Sequence, residues 1–401
     1  MKYVFHIDVN SAFLSWTAKK MLISGHDIDL RDIPSVVGGD ENTRKGIVLA
    51  ASIPAKKFGI KTGEPLFSAR RKCPALTVVG ADFNFYENES KKMVELLYEY
   101  SPNIKRFSID ECFMEFETNY TEFKDGISVA KEISKRIKNE LGFTVNIGVS
   151  TNKLLAKMAS DFEKPDKVHT LFKEEIKEKM WPLPVGELYL VGSASRKKLN
   201  DKGIFTIGDL ANTHPEILKK LLKSHGITLH EYANGIENSP ITNDEDIKGI
   251  GNSTTLPHDS DDFEYLKTVL LSLSESVSQR LRKAKKEASV ITVEIKTFDF
   301  KHKTCQKKLS ENLDDTLSIY KVACDLLSNL CNGTPLRLVG LRVSGFDNNL
   351  NQMSFDDYMN KKTIDPTVDS LRKKFGNDII TPLSLLNTDF TNILDRKSDN
   401  H

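Results

Sequence analysis

The chain has 401 residues, of which 39% are hydrophobic and 28% charged, and its formal net charge is +1. This length suits two to four domains, and this composition is typical of a soluble protein with hydrophobic cores. No apolar run approaches the roughly 18 residues of a membrane span, and the charges at Lys2 and Asp8 argue against a signal peptide. We expect a cytoplasmic protein without membrane contact, and five cysteines with no C-x-x-C pair predict free thiols.

The first part of the chain alternates between predicted strands and helices. Residues 3–8 form an apolar run that predicts a buried strand ending in the carboxylate of Asp8. A hairpin is predicted at 104–116, with Asp110 and Glu111 in its turn region. The other predicted elements are helices at 12–24, 85–100 and 127–141 and strands at 35–37, 46–50, 76–79 and 144–150.

The pattern changes after residue 165. From 171 to 236, short predicted helices are broken by prolines and glycines, and residues 235–251 are polar and acidic, as in a linker. A second α+β unit is then predicted, followed by a polar tail with one amphipathic stretch near 368–375. Its elements are strands at 253–256, 290–298 and 336–346 and helices at 263–286 and 317–330.

A basic cluster lies within this second unit. Ten Lys or Arg residues fall between Arg280 and Lys308, and only three acidic residues oppose them. Such a cluster could bind a polyanion. Considered alone, it could equally be the solvated face of a helix and hairpin.

Three carboxylates have the chemistry of a candidate metal site: Asp8, Asp110 and Glu111. Acidic residues at the strand ends of a mostly buried sheet are costly unless a cation is present. Hard oxygen ligands suit Mg²⁺, and two such ions could activate a 3′-hydroxyl and hold a triphosphate. Each acid taken singly would more often be an ordinary surface residue.

Four motifs connect these acids to a known family. The segments HIDVNSAF at 6–13, FGIKTG at 58–63, SIDECF at 108–113 and GVSTNKLLAKMAS at 148–160, with Lys164-Pro165 after the last, occur in one order. Their order and spacing resemble the Y-family DNA polymerases of the bacterial DNA polymerase IV and UmuC type, over about residues 3–348. The resemblance implies an α+β right-hand polymerase fold. Its parts would be a palm at 1–20 and 76–170, fingers at 21–75, a helix-hairpin-helix-like thumb at 171–240, a linker at 241–252, a βαββαβ-like little finger at 253–348 and a tail at 349–401.

The resemblance also implies roles for individual residues. Asp8, Asp110 and Glu111 would bind two Mg²⁺ ions, with Mn²⁺ as an alternative, and the backbone carbonyl of Val9 would be a further ligand. Phe13 resembles the steric gate whose ring takes the place of a ribose 2′-hydroxyl. Without the motif it would be read as a core phenylalanine. Lys164 resembles the lysine that meets the triphosphate.

The fingers depart from the family pattern. Ile53 and Lys56 stand where a tyrosine and an arginine usually bind phosphates, and a lysine supplies a point charge without the two-pronged guanidinium. Ile47 and Leu49 stand where relatives often have small residues. If both lined the roof of the nascent base pair, bulky lesions would be excluded. The alternative is that both face the fingers core.

The resemblance extends to binding partners: primer-template DNA, a dNTP and a sliding clamp, with the protein itself a monomer. Gly192 and Ser195 lie in a hairpin motif that would contact a DNA phosphate, although Leu190 replaces its first glycine. Non-specific contacts to the duplex backbone would come from Ser253, Lys296, Lys301 and Lys303. A peptide one apolar residue short of the clamp-binding pattern follows at Gln352, Met353, Ser354 and Phe355.

Two functions remain open at this point. The first is template-directed, Mg²⁺-dependent DNA synthesis, of low fidelity, across damaged bases and without proofreading, since no nuclease motif is present. The second is a catalytically weak or inactive scaffold that binds DNA and clamp on the same fold. The three carboxylates favour the first, and Ile53 and Lys56 keep the second open.

Overall fold

The structure is a computed structural model that describes residues 2–40, 44, 46–118, 125–241, 247–346, 364–386 and 388. The chain divides into two compact units at residues 244 and 245. The first unit contains strands β1 (Lys2–Val9), β2 (Ser35–Gly38), β3 (Val48–Ala51), β4 (Thr77–Gly80), β5 (Ile104–Arg106), β6 (Glu111–Glu117), β7 (Val145–Ser150) and β8 (Val168–Thr170). Its helices are α1 (Ala12–Ile23), α2 (Ile53–Lys57), α3 (Leu66–Lys72), α4 (Phe83–Tyr98), α5 (Gly126–Arg136), α6 (Lys153–Ser160), α7 (Ser193–Asn200), α8 (Ile207–Asn212), α9 (Pro215–Leu222) and α10 (Ser224–Ala233).

A five-stranded sheet in the order β5-β6-β1-β7-β8 forms the centre of the first unit. The central strand β1 is antiparallel to β6 and β7, and β7 is parallel to β8. Alternate residues of a strand face opposite sides. Phe5 and Ile7 therefore join the core that α1, α4 and α5 complete, whereas His6 and Asp8 face α6. Because both faces of β1 are covered, every residue of the strand after Lys2 is buried, including the polar His6 and Asp8.

Helix α6 lies unusually close to the sheet. A Cβ atom at Gly148 of β7 would lie 1.8 Å from the carbonyl oxygen of Ala156, so only glycine fits at this position. Asn152 caps the helix by accepting a hydrogen bond from the backbone nitrogen of Leu155 at 2.9 Å. The motif at 148–160 therefore describes a strand and the helix packed directly on it.

Two smaller layers complete the first unit. A three-stranded sheet in the order β3-β2-β4 packs on α2 and α3 around a core that includes Val36, Val48 and Leu66. Helices α7 to α10, with short 3₁₀ and π turns before them, surround a core that includes Leu199, Ile207 and Leu218. Leu154 and Leu155 of α6 belong to that same core, so α6 joins the central sheet to the helical layer.

The second unit is a four-stranded antiparallel sheet in the order β11-β10-β12-β9 with helices packed on it. In chain order it comprises β9 (Gly249–Ser260), α11 (Phe263–Lys283), β10 (Ala288–Thr297), β11 (His302–Leu313), α12 (Thr316–Leu330) and β12 (Leu336–Ser344). This is the βαββαβ order predicted from the sequence. Strand β9 begins within the segment predicted as linker, because Ile250 is buried and pairs with Val343. Among the described residues, no helix is both long enough and apolar enough to cross a membrane.

A C-terminal helix, α13 (Asp365–Phe375), packs on the second unit through its charged side. Arg372 is only 4% exposed, and its Nη2 donates to Glu275 Oε2 at 2.7 Å. Asp365 and Asp369 both bind the guanidinium of Arg282, at 3.1 and 2.6 Å. The apolar side of α13 is left at the surface, since Phe375 is exposed.

All five cysteines are free thiols, and two of them are buried. Cys112 lies in β6, directly after Glu111, and is 1% exposed. Burial raises the pKa of its thiol to about 12.

Candidate active site

The strand register brings the three predicted carboxylates together. Asp8 of β1 is the direct partner of Glu111 in β6, and the backbone nitrogen of Val9 donates to the carbonyl of Asp110 at 3.0 Å. Ser108 holds the turn by donating to Asp110 Oδ1 at 2.5 Å and accepting from the backbone nitrogen of Glu111 at 3.0 Å. Segments separated by about a hundred residues therefore meet at one end of the sheet.

Asp8 is a desolvated carboxylate with an ammonium partner. Burial raises its pKa, the charge of Lys164 opposes that rise, and the net shift is upward. Lys164 contacts Asp8 and also lies 2.8 Å from Asp161. The positive charge beside Asp8 thus comes from Lys164, the lysine predicted to meet the triphosphate.

Glu111 is held by residues that the sequence analysis did not assign. Lys157 Nζ donates to its Oε2 at 2.9 Å, and His6 Nε2 lies 3.4 Å from the same oxygen. Burial raises the pKa of Glu111, but the contacts with His6 and Lys157 outweigh it and lower the pKa to about 2. Only the packing of α6 on the sheet shows that Lys157 reaches Glu111.

Lys157 also connects the turn at residues 108–111 to the helical layer. Its ammonium lies 5.2 Å from the ring centre of Phe107 and 5.8 Å from that of Tyr189, within cation–π range. The two rings contact each other edge-on at 6.5 Å. The side chain is therefore enclosed on several sides and only 14% exposed.

The carboxylates suit hard divalent cations by their chemistry. Asp8, Asp110 and Glu111 offer oxygen ligands only, which Mg²⁺ and Mn²⁺ prefer. Within the described ranges, no three His, Cys, Asp or Glu side chains stand close enough to hold a metal ion as they are. Instead, the ammonium groups of Lys164 and Lys157 lie against Asp8 and Glu111, where positive charge is needed. A bound metal would supply that positive charge.

A pocket of about 640 Å³ opens beside the carboxylates. Asp8, Val9, Asp110 and Glu111 line it on one side, and Lys56 and Lys164 contribute its positive charges. Partial burial lowers the pKa of Lys56, as does the charge of Lys164, while Asp8 raises it. The pocket therefore combines negative and positive groups in the arrangement expected for metal ions and a polyphosphate.

Phe13 lines this pocket and also packs in an aromatic cluster. Its ring stacks on Tyr86 with 4.9 Å between centroids and meets Phe83 edge-on at 5.8 Å. The Phe13 ring thus packs against other aromatic rings and also borders the pocket, and its role as a steric gate stays a prediction. Tyr86, which holds the ring from behind, was not identified from the sequence.

Ile47 and Leu49, the two candidates for the roof of the nascent base pair, have different surroundings in the structure. Leu49 lines the pocket and is half-buried, whereas Ile47 is 42% exposed and is not among the lining residues. The prediction that both side chains face the fingers core is wrong, because Ile47 is exposed. That both line the roof of the nascent base pair stays a prediction. Strand β3 begins only at Val48, after a register shift opposite Gly38, so strand alternation does not extend to Ile47.

The hairpin before α7 forms despite its missing glycine. Gly192 is the N-cap of α7 and is exposed, and Ser195 lies in the first turn of that helix. Leu190 adopts φ 70°, a left-handed conformation that glycine adopts without strain. The backbone therefore keeps the shape that the motif predicts, with a residue poorly suited to it.

The residues predicted to bind DNA in the second unit do not share one surface. Ser253 lies on the face of the sheet opposite the buried Val339 and Ile295, as Lys296 does. Lys303 pairs with Ile295 and thus lies on the other face, and Lys301 lies between β10 and β11, 2.7 Å from Asp299. Gln352, Met353, Ser354 and Phe355 lie outside the described residues.

Comparison with known proteins agrees with this geometry. The impB/mucB/samB family matches residues 7–161, its C-terminal domain matches 247–355, and the HHH motif of the IMS family matches 173–204. The chain is 48% identical to DNA polymerase IV of Clostridium acetobutylicum over 390 residues, 96% of this chain and 98% of that protein. It is 36% identical to DNA polymerase IV 1 of Bacillus subtilis over 94% of this chain and 92% of that one.

The chain belongs to the Y family of DNA polymerases. Solved structures of such polymerases share its fold: a Dbh–Dpo4 chimera has a TM-score of 0.74 at 26% identity, covering 86% of this chain and 99% of that one. An insertion ternary complex of Dbh DNA polymerase has a TM-score of 0.58 at 26% identity with the same coverage. The right-hand polymerase fold predicted from the motifs is therefore confirmed. Polymerases of this family generally use divalent metals.

Proposed function

We propose that this Y-family polymerase adds nucleotides from dNTPs to a DNA primer end within the pocket at Asp8, Asp110 and Glu111, opposite damaged as well as normal template bases. The observation that carries the proposal is the meeting of three carboxylates and two lysines at one pocket. The carboxylates suit the metal end of the substrate and the lysines its triphosphate. No nuclease motif was recognised in the sequence, so we expect no proofreading.

We infer that the metal is Mg²⁺, with Mn²⁺ able to replace it. When bound, two such ions supply activation of the attacking hydroxyl and neutralisation of the triphosphate charge. Asp8, Asp110 and Glu111 would hold them, with the carbonyl of Val9. Lys164 and Lys56 would bind phosphate oxygens, and Phe13 would occupy the space beside the sugar.

We propose that the central sheet is the palm (1–20 and 76–170), the three-stranded layer the fingers (21–75), the helical layer the thumb (171–240) and the second unit the little finger (253–348). Gly192 and Ser195 present a helix start to a DNA phosphate. Ser253 and Lys296 suit a duplex backbone on one sheet face, whereas Lys301, between β10 and β11, and Lys303, on the opposite face, would make separate contacts. Such contacts are independent of sequence and weaken with salt.

We further propose that the polymerase acts as a cytoplasmic monomer and reaches its template with a sliding clamp. The support is the peptide Gln352–Met353–Ser354–Phe355, which follows the last strand of the second unit in the sequence. Glutamine and two apolar side chains at this spacing suit a hydrophobic pocket on a partner.

Primer extension by an Asp110→Ala variant tests the proposed site. We expect synthesis to be lost while primer-template binding is kept, because one metal ligand is removed and no basic surface changes. Glu115→Ala is the matched control: Glu115 lies on β6, which begins directly after Asp110, but it pairs with Lys2 at 2.9 Å and does not line the pocket. Extension by Asp110→Ala at the control's rate would remove Asp110 from the site. A wild type that binds DNA but extends nothing would support the scaffold instead.

A further inference from the structure

Lys56 is fixed by a contact between two separate layers of the first unit. Its Nζ donates a hydrogen bond to Ser11 Oγ at 2.9 Å. Lys56 lies in α2, beside the three-stranded sheet, and Ser11 lies between β1 and α1 of the central sheet. Both residues line the pocket. The hydrogen bond therefore crosses the pocket from one layer to the other.

The hydroxyl of Ser11 does not make the capping hydrogen bond that is usual for a serine at a helix N-cap. Ser11 is the N-cap of α1, where serine normally accepts from the first backbone N–H groups of a helix. Here it has φ 47° and ψ 53°, a left-handed conformation, and its side chain makes no capping bond. The backbone conformation turns the hydroxyl away from α1, and Lys56 is the partner it meets.

The two pocket lysines differ in what holds them. Lys164 is engaged by the carboxylates of Asp8 and Asp161. Within the described residues no carboxylate forms an ion pair with Lys56, and its hydrogen-bond partner is a neutral hydroxyl. A neutral acceptor orients the ammonium without cancelling its charge, and two of its three N–H donors remain for phosphate oxygens.

We propose that Ser11 is a positioning residue that holds the ammonium of Lys56 in place for the triphosphate. A free lysine side chain loses rotamer entropy when a ligand orders it, and ordering the side chain beforehand lowers that cost. This pair thereby compensates for the arginine that the fingers motif lacks. The inference rests on the proposed function, since it takes the ligand to be a dNTP.

The test measures dNTP affinity without chemistry. Each variant is bound to a primer-template whose primer ends in a 3′-dideoxynucleotide, and the dissociation constant of the matching dNTP is measured by calorimetry with Mg²⁺. We expect Ser11→Ala to bind the dNTP about fivefold more weakly, the loss of one ordinary hydrogen bond. On an extendable primer, KM for the dNTP should rise by a similar factor with kcat nearly unchanged, and the affinity for DNA should not change.

Two further variants separate positioning from backbone strain. Ser11→Gly removes the hydroxyl but suits the left-handed conformation, so it should lose the same affinity as Ser11→Ala. In a Lys56→Ala background, Ser11→Ala should cause no further loss, because the hydroxyl then has nothing to hold.

Equal dNTP affinity of wild type and Ser11→Ala would overturn the proposal, and so would a full, additive loss in the Lys56→Ala background. Either result leaves the polymerase function intact if the wild type extends primers. A wild type that neither binds a dNTP nor extends a primer would overturn the proposed function and this inference together.

Discussion

Asp8 and Glu111 face each other across two strands, yet their surroundings shift their pKa values in opposite directions. Burial acts in the same sense on both. The difference comes from partners: Glu111 has contacts with Lys157 and His6, which overcome burial, whereas the contact of Asp8 with Lys164 does not. Asp8 therefore has the greater need of an added cation, and Glu111 is held ionised by the protein itself.

Replacing Lys157 by methionine should lower the stability of the metal-free protein in a pH-dependent way. The loss at pH 7 should be about 1–3 kcal/mol, the range for a hydrogen bond to a charged group. A lowered carboxyl pKa stabilises the folded state above the ordinary value of 4.5, and this contribution fades as the pH falls toward about 2. The difference between wild type and Lys157→Met, measured by urea unfolding, should thus be smaller at pH 4 than at pH 7.

Lys153→Met is the matched control for that measurement. Lys153 lies one turn earlier on α6, but its Nζ donates to the carbonyl of Pro240 at 3.1 Å, and its carboxylate neighbour is Glu237 at 3.9 Å rather than Glu111. Because this ion pair is longer than the 2.9 Å contact of Lys157 with Glu111, its removal should show a weaker pH dependence. Equal pH dependence in both variants would mean that Lys157 does not set the pKa of Glu111.

Phe13→Ala should let ribonucleotides compete with deoxynucleotides. Without the ring, the space it fills beside the sugar is open to a 2′-hydroxyl, and we expect discrimination to fall by about tenfold or more. The ratio of kcat/KM for a dNTP and the matching ribonucleotide measures it. Phe83→Ala is the control, because Phe83 supports Phe13 edge-on without lining the pocket. An equal loss of discrimination in that variant would assign the effect to loosened packing.

The carboxylates were predictable from sequence, whereas the residues that tune them were not. Asp8, Asp110 and Glu111 lie in short motifs that can be recognised from the sequence without a structure. Lys157 and Tyr86 lie on helices where sequence spacing shows only which face they share. Their roles depend on which sheet each helix meets, and that is decided by distant contacts such as the close approach of α6 to Gly148.

At the scale of elements, the hairpin before α7 keeps its shape at a local cost. Leu190 is held at φ 70° and is 47% exposed, so its side chain gains little from packing. A left-handed conformation costs a non-glycine residue roughly 1–2 kcal/mol.

Leu190→Gly should therefore stabilise the protein by about 1 kcal/mol, because glycine removes the strain at a site with little packing to lose. The midpoint of thermal unfolding measures it. Tyr189→Gly is the contrasting variant: its ring packs on Phe107 and Tyr232, and we expect a loss of stability. A destabilised Leu190→Gly protein would show that the leucine side chain contributes more than the strain costs.

The β10–β11 hairpin shows what composition cannot tell. The sequence shows that this hairpin is basic, but it does not show on which face of the sheet each lysine lies. That depends on the strand register. Pairing of Lys303 with Ile295 puts it on the helix-bearing face, while Lys296 lies on the open one. Strand β9 was predicted too short for a related reason. Its first residues are polar or glycine and become a strand only through pairing with β12.

At the scale of the whole molecule, the order and spacing of the motifs predicted a Y-family polymerase with a right-hand fold, and the family match and the shared fold confirm both. The bounds of the palm, fingers, thumb and little finger stay a prediction. The bulk composition indicated only solubility and domain number. Helix α13 was expected as an amphipathic stretch. Its docking through Arg372 could not be expected, since apolar faces normally pack inward and charged faces outward.

Replacing Gln352 and Phe355 by alanine together should leave distributive synthesis on a short primer unchanged and reduce the stimulation given by a loaded clamp. The pair is expected to fill a pocket on the clamp and to take no part in the chemistry. Asp356→Ala with Asp357→Ala is the neighbouring control. If the first pair lowers synthesis with and without the clamp equally, the peptide has a structural role.

The burial of Cys112 bears on how the enzyme withstands oxidants. Reaction with peroxide or alkylating agents requires a thiolate, and a thiol with pKa about 12 that is 1% exposed supplies almost none at neutral pH. The thiol of Cys112, which follows Glu111 in the sequence, is thus nearly unreactive toward these agents. Conditions that damage DNA by oxidation would modify exposed thiols elsewhere in the cell before they reached the strand that carries Glu111.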